Sequence, residues 1–158
     1  MNKIILRLAE LLCVILLVVF IAYVSSMDKI STVPFENVTA AVTAVSDTKE
    51  LKERDKLEFR EKFSLEAEDY IDFVCYSSES VMDVRELVVV FSDDKQALEK
   101  IKNNIELYVQ QKQELFEGYA PGESEMISSH TLVQKKGYTL FYIGQDKEKV
   151  LSAFEEKL

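Results

Sequence analysis

Residues Leu87 to Phe91 read LVVVF, and the chain continues through Ser92-Asp93-Asp94 into a long amphipathic stretch that ends near Gly118. A strand with one wet face would alternate apolar and polar residues; this unbroken apolar run predicts a central strand covered on at least one face. Ser92 or Asp93 can cap the helix that follows, and Gln96 completes a D-x-x-Q box if Asp93 is the cap. Leu98, Ile101, Ile105, Tyr108, Val109, Leu115, Phe116 and Tyr119 then follow one stripe, interrupted by Lys112, until Gly118 and Pro121-Gly122 stop the helix. Such a helix is about 36 Å long against about 20 Å for a six-residue strand, so one end must overhang the sheet.

Upstream, Tyr70 to Ser77 reads YIDFVCYS, an imperfect period of two that predicts a strand with Asp72 on its wetter face. Cys75 shares a side with Ile71 and Phe73, which predicts a buried thiol. Pro34 suits a first helical position, and Phe35, Val38, Ala41, Val42 and Val45 recur at helical spacing, so a helix is expected over residues 34–46. Lys49 to Phe63 is mostly charged and reads as a solvated helix, with Glu50–Arg54 and Glu58–Lys62 as i,i+4 pairs. Downstream, one helical turn is expected within Glu123 to Ser129. Thr131 to Lys135 and Tyr138 to Ile143 flank Lys136-Gly137 as a hairpin, and Asp146 caps a last helix carrying Val150, Leu151 and Phe154. The order α-α-β-β-α-β-β-α predicts an α+β fold, a small antiparallel or mixed four-stranded sheet with its helices gathered over one face.

Ahead of this domain, Leu11 to Val24 reads LLCVILLVVFIAYV. A helix from Ile4 to Val24 is about 31 Å long, matching a hydrocarbon core of about 30 Å. Arg7 and Glu10 fall in its first two turns at i,i+3 spacing, where they can pair or reach headgroups. The expectation is therefore one transmembrane helix with the lipid bilayer as its partner. Lys3, Arg7 and the α-amino group precede the span, whereas Asp28 and Lys29 cancel after it, which places the N-terminus in the cytoplasm and the C-terminal domain outside a cell membrane crossed once. The expected organisation is an anchor over 1–26, a tether over 27–33 and an extracytoplasmic domain over 34–158. A cleaved secretory signal is the rival reading, with Val24-Ser25-Ser26 as its small-residue site.

Of the 19 Lys and Arg and 28 Asp and Glu in 158 residues, the part after residue 26 keeps 17 and 27, a net charge near -10. Phosphate neutralisation needs clustered cations, which this chain lacks, so no nucleic-acid partner is expected. Cys75 stands alone in that part and can form no intrachain disulfide. Dinucleotide, phosphate-loop, zinc-protease, C-x-x-C and G-x-S-x-G motifs are missing, and the four glycines are not clustered to cradle a phosphate. His130 has no placed nucleophile or base beside it, and one His with one Cys cannot supply the usual zinc ligands. No cofactor, metal or catalytic residue is expected. A carboxylate pair distant in sequence, as in glycoside hydrolysis, is the one enzymatic reading that sequence leaves open.

Met82-Asp83-Val84-x-Glu86-Leu87, preceded by a strand containing Tyr76 and followed by apolar strand, acidic turn and long helix, resembles domain of unknown function 4358. Gln113 to Pro121, QELFEGYAP, is similar to the aromatic-Tyr-Pro helix end of that family, and the hairpin at Lys136-Gly137-Tyr138 is similar too. The resemblance implies a Gram-positive cell-envelope protein and no reaction. Asp83 and Glu86 are interaction or loop-capping candidates: Asp83 as a carboxylate accepting backbone N–H groups before the strand, Glu86 as a partner for a Lys or Arg across the sheet. Tyr119 is a further candidate, as a packing residue at the end of the long helix or a ligand contact. The functional expectation is a membrane-anchored extracytoplasmic interaction or accessory protein with an envelope protein partner. The alternative is a carboxylate-based envelope hydrolase.

Overall fold

The computed structural model describes the backbone of residues 2–27 and 29–158 and, within the first helix, the side chains of residue 7 and residues 10–21. The chain divides into two units, Met1–Ile30 and Ser31–Leu158. The first contains α1 (Asn2–Met27), whose side chains from Leu11 to Ile21 are exposed. This corrects the expected anchor: among the described residues, no helix is long and apolar enough to cross a membrane. The uninterrupted apolar run from Leu11 to Val24 spans about 21 Å of helix axis, short of a hydrocarbon core of about 30 Å. The bilayer as partner, the single-pass topology and the cell-membrane localisation built on that anchor are corrected with it. Lys3, which carried part of the orientation argument, lies outside the described side chains.

The second unit is an α+β fold of α2 (Phe35–Val45), β1 (Lys52–Glu53), α3 (Lys56–Phe63), β2 (Asp72–Ser77), β3 (Glu86–Phe91), α4 (Lys95–Phe116), α5 (Pro121–Ser128), β4 (Thr131–Lys135), β5 (Tyr138–Ile143) and α6 (Lys147–Lys157). The sheet has five strands rather than four, in the order β1-β2-β3-β5-β4, and every pairing is antiparallel. The added strand comes from the stretch expected as one solvated helix. Asp55 accepts the Glu58 N–H while Glu58 accepts the Asp55 N–H, and this capping box starts α3 late enough to free Lys52 and Glu53 for pairing with Tyr76 and Ser77.

Helices cover both faces of the sheet, not one. Glu86, Val88 and Val90 of β3 face α3, α4 and α5, where Phe59, Phe63, Ile101, Ile105 and Ile127 complete a core. Leu87 and Val89 face the opposite side, toward Val38 and Val42 of α2 and Val150 and Phe154 of α6. Burial on both faces is why β3 and β5 read as continuous apolar runs. The caps also shift: Asp94, not Ser92 or Asp93, accepts the Ala97 N–H at 2.8 Å and starts α4. Pro121 opens α5 at its first position, where its missing N–H costs nothing. The two-residue turn joining β4 to β5 has positive φ at both Lys136 and Gly137, the backbone that a tight hairpin with native twist requires.

Candidate functional site

The loop between β2 and β3, Ser78 to Arg85, is tied down from three sides. At its start, the Arg54 guanidinium donates to Ser77 Oγ at 2.7 Å and to the Ser78 carbonyl at 2.6 Å, and it pairs with Glu58 at 3.1 Å. At its end, Asp83 Oδ1 accepts the Arg85 backbone N–H at 3.0 Å, while Arg85 Nε and Nη2 reach the same carboxylate at 3.0 and 2.7 Å. Arg85 also donates to Asp47 at 2.6 Å and to Glu50 at 3.2 Å. The Arg85 guanidinium holds the Asp83 carboxyl below the usual carboxylate range, and Asp83 in turn pushes Arg85 further up. From below, Lys112 Nζ donates to the Val84 carbonyl at 3.3 Å.

Lys112 is the residue that breaks the apolar stripe of α4, and its position explains the break. Glu86 is fully buried, and its Oε2 accepts from Tyr108 Oη at 2.8 Å and from Lys112 Nζ at 3.2 Å. Lys62 Nζ lies 2.5 Å from Oε1 outside hydrogen-bonding alignment, so this contact is an ion pair. Burial dominates the titration of the neighbours, pulling Lys112 down and pushing Tyr108 up. Cys75 is also buried, and its thiol is pushed up to about 12.

Beside the tied loop lies a groove of about 390 Å³ lined by Asp47, Met82, Asp83, Arg85, Glu123, Met126 and neighbouring residues from four chain segments. Val81, at the loop tip, is 86% exposed, and Met82 is about half exposed. Asp83 thus sits in the groove wall. Glu86 lies in the core on the α3–α4 side of β3, and Tyr119 is exposed and stacked on Phe116, away from the groove lining. Sequence reasoning passed over Asp47, Arg85 and the Glu123–Met126 pair, which come from three separate stretches of the chain; Lys112 within an apolar stripe was a legible sign of a buried charge.

Residues 44–144 match the family model described as Domain of unknown function (DUF4358). The chain belongs to this family. Comparisons with curated proteins and with solved structures give no match. The carboxylate hydrolase alternative is corrected in this DUF4358 chain. Glu86 is sealed by two lysines and a tyrosine, Asp83 is engaged by Arg85, and no catalytic cluster forms among the described residues. Nor do the described residues group three or more His, Cys, Asp or Glu side chains for a metal ion. The expected membrane-anchored function falls with the anchor itself.

Proposed function

We propose that this domain is a recognition module that takes a cationic segment of a partner in the groove beside the Ser78–Arg85 loop. The observation that carries the reading is the charge balance around Arg85. One guanidinium is shared by Asp47, Glu50 and Asp83, and Glu123 lines the same groove as Asp47 and Asp83, so three carboxylates and one cation line it. A lysine or arginine of the partner would meet unneutralised carboxylate there, while Met82 and Met126 offer apolar wall to its aliphatic stem.

Under this reading Asp83 caps the loop and shapes the groove, leaving Asp47 and Glu123 as the anions facing the ligand. Glu86 supports the loop from the core, and Tyr119 shields Phe116 without touching the ligand. The Gram-positive cell-envelope setting implied by the family resemblance is part of the proposal, and the groove chemistry does not depend on it.

The test is calorimetric titration of the full chain with a short lysine-rich peptide at low and high salt. Binding should weaken as salt rises and again in Glu123→Gln, because exposed charges attract through a screened field. Equal binding of a neutral peptide of the same length, or affinity indifferent to salt, would overturn the reading.

A further inference from the structure

The two edges of the sheet are treated differently. β1 is two residues long, and Lys52 and Glu53 are both charged and exposed, devices that keep an edge from pairing with another chain. β4 is five residues long, TLVQK, with no proline, and its only charge is at its end. The Lys135–Tyr138 pair closes the two-residue turn, so Lys135, Val133 and Thr131 bond inward to β5 and the N–H and C=O groups of Leu132 and Gln134 point outward. Ser31 N–H occupies the Lys136 carbonyl at 2.8 Å, and among the described residues no backbone group bonds the outer side of Leu132 or Gln134.

We propose that β4 is a homodimerisation edge: two copies pair their β4 strands antiparallel about a two-fold axis at Val133, making one ten-stranded sheet from two five-stranded ones. In this register Leu132 of each copy faces Gln134 of the other, and the two pairs exchange four backbone hydrogen bonds. The charges fit a second copy. Lys135 falls opposite Thr131 and Lys136 opposite His130, so the lysines lie at opposite ends of the ribbon and no like charges meet. The side chains fit as well. Leu132 belongs to the α3–α4 side of the core and Val133 to the α2–α6 side, both partly buried, and the second copy covers what remains exposed of each.

The axis supplies the test. Val133 faces its own mate in a non-hydrogen-bonded pair, with Cα atoms about 4.5 Å apart, within disulfide reach. Thr131 and its mate are about 14 Å apart, well beyond it. Full chain carrying Cys13→Ser removes the exposed native thiol, while Cys75 is buried. Under mild oxidation, Val133→Cys in that background should convert to a covalent dimer and Thr131→Cys should not. Equal cross-linking of the two, or none at Val133→Cys in a variant that melts like its parent, would overturn the proposal. Hydrogen exchange on the unaltered chain decides the matter independently of any variant. The Leu132 and Gln134 amides should be protected and lose that protection on dilution, whereas fast exchange at every concentration would contradict the pairing.

Discussion

Lys112 Nζ lies 3.2 Å from Glu86 Oε2 across 26 residues of sequence, and this contact fastens the next-to-last turn of α4 to the first residue of β3. Glu86 answers both Lys62 and Lys112. Glu86→Ala therefore leaves two partly buried lysines and the Tyr108 hydroxyl without their acceptor and should cost about 1 to 3 kcal/mol in denaturant unfolding. Lys112→Met keeps the stem, and Lys62 and Tyr108 still answer the carboxylate, so its loss should be smaller. A Glu86→Ala chain as stable as its parent would show that the cluster is solvated in solution.

Asp83→Ala should cost about 0.5 to 2 kcal/mol, the range for a lost cap, and Asp83→Asn should cost less. The pH dependence has a definite sign. Asp83 titrates below its unfolded value because Arg85 holds the charged form, so its contribution is present above about pH 3.9 and is lost as pH falls through the lower folded value. Thermal melts of wild type should drop over that acid range more steeply than those of Asp83→Asn. Parallel curves would remove the Arg85 coupling.

Cys75 reports on the core from within. Its thiol is pushed up to about 12, chiefly by burial, against an unfolded value of about 8.5. Between these values only the unfolded chain has lost the proton, so this group's contribution to stability declines as pH rises from about 8.5 toward 12. At neutral pH a thiol reagent should label exposed Cys13 at once and Cys75 only as fast as the domain opens, a rate that denaturant should accelerate. Immediate labelling of both thiols would contradict the buried position.

Gly144 packs so closely on the Tyr142 ring that a Cβ there would overlap the phenol, and Tyr142 is itself buried. Gly144→Ala should cost about 1 to 3 kcal/mol by overpacking. Tyr142→Phe in the same chain should recover part of that loss, because the overlap falls first on the hydroxyl. No recovery would mean that the turn backbone, not the ring, resists the substitution.

How much of this was legible depends on the range of the interaction. LVVVF announced the central strand because burial on both faces leaves no polar position, yet the expectation of helices over one face was wrong, because an apolar run shows that a strand is covered and not which helices cover each side. The two residues of β1 carry no pattern that length or periodicity can resolve, and a capping box within a charged run hid the boundary between β1 and α3. Asp83 was legible as a local turn residue because its backbone partner lies two positions away. The groove was not, since Asp47, Met82, Glu123 and Met126 meet only through the packing of the α2–β1 loop, the β2–β3 loop and α5. Lys112 was visible as an interruption, yet its partner Glu86 is fixed by tertiary structure alone.

The groove reading is tested most directly at its own methionines. Met82 and Met126 line the groove, whereas Met1 and Met27, the other two methionines, belong to the N-terminal unit. With methyl-labelled methionine in the full chain, a lysine-rich peptide should shift the Met82 and Met126 signals together and leave the other two in place, and the shifts should shrink in Glu123→Gln and at high salt. Shifts confined to Met1 and Met27, or Met82 and Met126 unmoved at saturating peptide, would contradict the groove as the site of recognition.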